Sequence, residues 1–182
     1  MALALSDQIS YLREAGEVAR CHTLPHAHGS YTVASHSWHA AILLLKLHPS
    51  PSAELLAAVL THDVGERFSG DIPLQARKQS RSLQEADTAY SHAAFQLLGV
   101  NLVPLSEEDL RWIGVVDALE FYLWCEDELE GRGNRHIWEA HSNIVTYIDE
   151  AIAAGQWPES AVEFYEPFQW QRMADYPEGL KL

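Results

Sequence analysis

Apolar side chains recur at helical spacing along almost the whole chain. Ile9, Leu12, Ala15 and Val18-Ala19 follow Ser6, a residue type suited to capping, and predict a first helix. The stretch from Cys21 to Tyr31 breaks that period and is rich in His, Pro and Gly, so it reads as a loop. A second helix is expected from about Thr32 through Leu47, stopped by His48-Pro49. Ser52 is placed to cap a third, which carries Leu55, Leu56, Val59 and Leu60 into His62-Asp63. Gly70-Asp71-Ile72-Pro73 reads as a turn, and a fourth helix is expected over roughly Leu83 to Leu98, ending at Gly99. Ser106 with Asp109 three positions on resembles a capping box for a fifth helix, continuing to about Leu129 before Gly131. A sixth is expected from the candidate cap Asn134 to Gly155, with a shorter one after Pro158. No segment alternates convincingly with period two, so the predicted class is all-α: a helical bundle forming one domain over residues 1–182.

Composition narrows the function. With 47% apolar residues the chain of 182 residues can bury a sizeable core. A formal net charge of -14 argues against a general nucleic-acid or membrane-surface binder. It leaves room for a small anionic ligand, because a metal and a few local cations outweigh a distant acidic surface. Cys21 and Cys125 form no CxxC pair, which fits a reducing, cytoplasmic compartment. Met1 to Leu5 is apolar without a basic flank, so no signal peptide is expected. No apolar run is long enough to span a membrane.

The chemistry concentrates at Leu60-Thr61-His62-Asp63-Val64-Gly65-Glu66, where an apolar stretch ends in three ionisable side chains. Glu66 falls three positions after Asp63 and four after His62, on the same side of a continuous helix. His36 sits in another apolar helix, and Asp117 interrupts Trp112-Ile113-Gly114-Val115-Val116 and Ala118-Leu119, where a lone carboxylate is costly. Each has an ordinary reading alone: a packed imidazole for His36, a core arginine's partner for Asp117. Together, two imidazoles and two carboxylates from three helices can coordinate one divalent ion with positions open for water and substrate.

The order His36, His62-Asp63, Asp117 resembles the HD-domain phosphohydrolase superfamily. The likeness runs from Arg20 to about Asn134 and is closer to the YfbR-type 5′-deoxynucleotidases. Their turn after the His-Asp pair is similar to the stretch from His62 through Glu66, Gly70 and Asp71 to Pro73. Their first-ligand helix is similar to Thr32-Val33-Ala34-Ser35-His36-Ser37 and their last to Val116-Asp117-Ala118-Leu119. The resemblance implies an HD-domain bundle with the ion between the second, third and fifth predicted helices. It implies that His36, His62, Asp63 and Asp117 bind one divalent metal ion, be it Mn, Co, Zn or Mg. By the same resemblance Glu66 orients or deprotonates the attacking water, and Asp71 positions the nucleophile or protonates the leaving group. Arg20 corresponds to a phosphate-contacting arginine, and Arg77 or Lys78 to a lysine facing the phosphate. Two positions depart from the family: Cys21 stands where the YfbR-type enzymes place a tryptophan that helps select deoxyribose, and Ser35 where a Glu is common.

The charge map agrees, since Arg67, Arg77, Lys78 and Arg81 follow the metal motif in an acidic chain, although Arg67 and Arg81 individually read as solvated. The implied activity is hydrolysis of a small-molecule deoxynucleotide. The first choice is phosphate release from dNMPs. The alternative is triphosphate release from a dNTP, including dATP, as in similar small viral enzymes. A binding module without catalysis is disfavoured, because every expected ligand and both acidic helpers are present. The His22-His28 loop reads as a solvated segment near substrate in preference to a second metal site, and Cys125 as a packed residue. The aromatic-rich fifth and sixth helices, with Trp112, Phe121, Tyr122, Trp124, Trp138 and Tyr147, supply either homo-oligomer contacts or the domain's own core.

Overall fold

Short-range capping decides where most helices begin. Thr32, Ser52, Ser80 and Ser106 each accept a hydrogen bond from the backbone N–H three residues on, and each starts a helix. The structure is a computed structural model that describes residues 3–27, 29–100, 104–130 and 135–175, apart from the side chains of Leu74, Gln75, Lys78 and residues 169–175. Among the described residues the elements are α1 (Leu5–Gly16), α2 (Val33–Leu47), α3 (Ala53–Thr61), α4 (Glu66–Ser69), α5 (Leu74–Gln79), α6 (Arg81–Leu97), α7 (Glu107–Leu129), α8 (Arg135–Ala153) and α9 (Glu159–Asp175). No strand occurs among them, and the all-α class stands.

The expected helices are found with three adjustments. Ser6 is not a cap: α1 starts one residue earlier, after Ala4, with no side-chain cap. The one-turn α4 and the six-residue α5 were too short to register as a period, so the predicted fifth helix is α7. α9 runs for 17 residues and carries Pro167 inside it. Asn134 and Gly131 lie outside the described residues. No helix of the described residues is long and apolar enough to cross a membrane.

The main core joins α2, α3, α7, α8 and α9 through Leu44, Leu55, Val59, Leu119, Ile148 and Tyr165. α7 packs on both α2 and α8, and α2 on α3, so the long capped helix forms the spine. A smaller cluster of Ala15, Val64, Ala94 and Leu98 seats α1 and α6 against the turn after α3. Between α1 and α2 the chain makes a loop closed at its neck: Arg20 N–H donates to the Tyr31 carbonyl at 2.8 Å, and Val33 N–H to the Val18 carbonyl at 2.9 Å. That clasp sets Arg20 beside Tyr31 at the entrance to α2.

Candidate metal centre

Three elements deliver the candidate ligands. α2 carries His36 into the core just after its capped start, where it is fully buried. α3 ends at Thr61, and the turn that follows presents His62 and Asp63. α7 contributes Asp117 from its middle. The expectation that Glu66 shares a continuous helix with His62 is not met. Residues 62–65 form a tight turn, with Val64 N–H donating to the Thr61 carbonyl and Glu66 N–H to the Asp63 carbonyl, and Glu66 opens α4. Gly65 is required there, since a Cβ would sit 2.8 Å from the Ser91 backbone of α6.

The ligand atoms converge. His36 Nε2 lies 3.0 Å from Asp117 Oδ1, 3.2 Å from His62 Nε2 and 3.6 Å from Asp63 Oδ2. His62 Nε2 lies 3.3 Å from Asp63 Oδ2 and 3.8 Å from Asp117 Oδ1. The outer nitrogens are committed elsewhere. His62 Nδ1 donates to the Val59 carbonyl at 2.7 Å, and His36 Nδ1 to the buried Glu120 carboxylate. Neutral imidazoles held this way turn two lone pairs inward beside two carboxylate oxygens. Acceptors this close repel unless extra protons or a cation lie among them. Imidazole nitrogen and carboxylate oxygen suit a divalent ion of the Zn, Mn or Co kind, so the donor set fits such an ion. Ligand atoms of His36, His62 and Asp117 all lie within 4.8 Å of one another. Asp63 adjoins them, but its Oδ2 also accepts from Arg20 Nη1.

Electrostatics without an ion follow from that crowding. Burial alone would lower the pKa of His36 and His62, but Asp117 and Glu120 raise that of His36, and Asp63 and Asp117 that of His62. Desolvation would likewise raise Asp63 and the part-exposed Asp117, yet the contacts of Asp63 with His62 and Arg20 and of Asp117 with both imidazoles hold them below the usual carboxylate range. Glu66 behaves oppositely: burial and then the Asp63 charge push its pKa up to about 8. Its Oε2 is buried without a partner among the described residues.

Asp117, with a side chain 46% exposed, lines a cavity of about 530 Å³. Arg20, Asp71 and Arg77 line the same cavity, as do Phe121 of α7 and Ile144 and Tyr147 of α8. Asp71 accepts from the Cys21 backbone N–H at 2.6 Å. Arg77 donates to Asp87 at 2.8 Å. The side chain of Lys78 lies outside the described residues. Arg67 pairs with Glu14 and Arg81 with Glu85 away from the cavity, so the basic run in sequence is dispersed in space. Sequence reasoning missed Glu120 and Tyr31. Glu120 stands three positions after Asp117 in the same apolar stretch, and the desolvation argument that singled out Asp117 applied to it equally.

A family model described as HD domain matches residues 18–111, more than half of the chain. The match spans His36, His62 and Asp63 and stops short of Asp117. No curated protein sequence matches. Among solved structures, an HD-domain phosphohydrolase of Listeria innocua superposes with TM-score 0.69 at 16% identity, covering 96% of this chain and 91% of its own. The HD phosphohydrolase DatZ of cyanophage S-2L, bound to dA and one catalytic Zn2+ ion, superposes with TM-score 0.66 at 16% identity, covering 95% of this chain and 98% of its own. Both are likenesses of fold.

Proposed function

Because this chain belongs to the HD-domain family, we propose that it is a single-domain, metal-dependent phosphohydrolase of deoxynucleotides whose substrate is a 5′-deoxynucleoside monophosphate. The observation that carries this reading is the inward-facing cluster of His36, His62 and Asp117 beside Asp63, at the edge of a cavity large enough for a nucleotide. The DatZ likeness, with its bound dA, supports a deoxynucleoside as the group that fills the cavity.

Held by His36, His62, Asp63 and Asp117, a divalent ion would supply Lewis acidity and make water a stronger acid there. The remaining work falls to the protein's own groups. Glu66, whose Oε2 is buried beside the centre and unpaired among the described residues, takes a proton from the attacking water. Asp71, held by the Cys21 N–H, positions the nucleophile or returns a proton to the departing oxygen. Arg20 and Arg77, both on the cavity wall, hold phosphate oxygens, and Phe121 and Tyr147 offer apolar surface to the nucleoside. Both arginines already meet a carboxylate, Asp63 and Asp87 respectively, so little uncommitted positive charge remains on them. That favours one phosphoryl group over a triphosphate. Product analysis tests the choice. Orthophosphate from dNMPs supports it, and inorganic triphosphate from a dNTP replaces it with a triphosphohydrolase.

A further inference from the structure

We propose that Glu120 and Tyr31 are positioning residues that set how strongly His36 holds the metal; this inference rests on the metal-binding reading above. Glu120 is only 3% exposed on α7. Its Oε2 accepts from both His36 Nδ1 and the Tyr31 hydroxyl, and the Tyr31 oxygen lies 3.1 Å from His36 Nδ1. Its other oxygen faces His39 Nδ1 at 3.4 Å. A carboxylate so deeply buried is costly unless its oxygens are paired. Here the pairing is directed at a candidate ligand and the residues beside it.

The arrangement makes the two imidazoles unequal. The outer N–H of His62 goes to a neutral acceptor, the Val59 carbonyl. That of His36 goes to a carboxylate. An anionic acceptor at Nδ1 fixes the tautomer and ring orientation and raises the donor strength of Nε2. Tyr31 holds this carboxylate in place and is itself fixed: its ring stacks on Trp124 with centroids 4.7 Å apart and planes 11° apart. The Arg20 guanidinium lies over the same ring, 5.5 Å from its centroid. One tyrosine therefore braces both the partner of His36 and the arginine that pairs with Asp63.

The test compares wild type, E120Q, E120A and Y31F after chelator treatment. Affinities for Zn2+ and Co2+ are read by chelator competition, the cobalt ligand field by its visible absorption, and folding by circular dichroism and melting of the metal-free proteins. E120Q keeps the shape and removes the charge. It is expected to weaken binding of both ions about 10- to 100-fold and to shift the cobalt bands while remaining folded. Y31F should weaken binding in the same direction by less. E120A should lose at least as much as E120Q; if it fails to fold, E120Q and Y31F carry the test. A folded E120Q with wild-type affinity and an unchanged cobalt spectrum overturns the inference. Wild type that binds neither ion overturns the metal reading itself, and the inference falls with it.

Discussion

Arg20 and Asp63, 43 residues apart in sequence, form an ion pair at the edge of the imidazole cluster. The residue expected to hold phosphate and a residue expected to hold metal are thus each other's partner. Arg20 also reaches within 3.8 Å of Asp117, so one guanidinium faces both carboxylates of the candidate centre. In a metal-free protein it supplies part of the positive charge that the cluster calls for.

R20A should destabilise the metal-free protein by about 1.5–3 kcal/mol, the range for a hydrogen bond to a charged group. Side chains that remain 12% and 20% exposed keep the effect below that of a fully buried pair. Adding Zn2+ or Mn2+ should shrink the difference, because a cation at the cluster relieves Asp63. Denaturant melts of R20A and wild type, with and without the ion, check both parts. Equal destabilisation in the two conditions would argue against a shared role for Asp63.

H36A, H62A and D117N should each lose the stabilisation that a divalent ion confers. For wild type that gain is about 2.7 kcal/mol when free ion stands at a hundred times its dissociation constant. Thermal melts with and without metal, together with metal content after desalting, give the comparison. A variant that keeps the full metal-induced shift is not missing a ligand.

E66Q should bind metal as wild type does and lose about 10²- to 10⁴-fold in turnover, the range of general acid–base catalysis. Glu66 lies outside the converging ligand atoms, while its buried Oε2 has no partner among the described residues. Metal content and turnover measured on the same preparation separate the two effects. Unchanged turnover would remove Glu66 from its assigned role.

Metal affinity should rise with pH. In the metal-free protein the pKa values of His36 and His62 are raised against the opposing effect of burial. Their contribution to stability is present below the unfolded value of about 6.5 and is lost as pH rises through the raised values. Asp63 and Asp117 are lowered, so theirs is present above about pH 3.9 and is lost as pH falls through the lowered values. An incoming ion displaces the imidazole protons. Titration calorimetry in buffers of different ionisation enthalpy should show weaker binding and more protons released at about pH 6 than at about pH 8.

Much of this was legible in the sequence because it is local. Thr32, Ser52 and Ser106 announce their helices within three residues, and the interruption by Asp117 is visible in one turn of α7. α4 and α5 were not legible, since a period cannot show in four or six residues. Nor was the break after Thr61, where Gly65 comes close against Ser91 of α6. The pairings Arg20–Asp63 and Glu120–His36 join segments 43 and 84 residues apart, and such contacts leave no local signature. Arg67 and Arg81, read from the sequence as solvated, pair with Glu14 and Glu85, and the partner of Arg77, Asp87, ten residues on, was not legible.

Phosphate release from a deoxynucleotide should require a divalent ion held by the His36, His62, Asp63 and Asp117 centre. The most direct measurement is product release by chelator-treated wild type and D117N, each resupplied with Mn2+, Co2+, Zn2+ or Mg2+ against a panel of dNMPs, NMPs and dNTPs. Orthophosphate is expected from dNMPs with wild type and at least one ion, none without the ion, and none from D117N. Release by the chelated protein, equal release by D117N, or no release from any nucleotide with any ion would contradict this expectation.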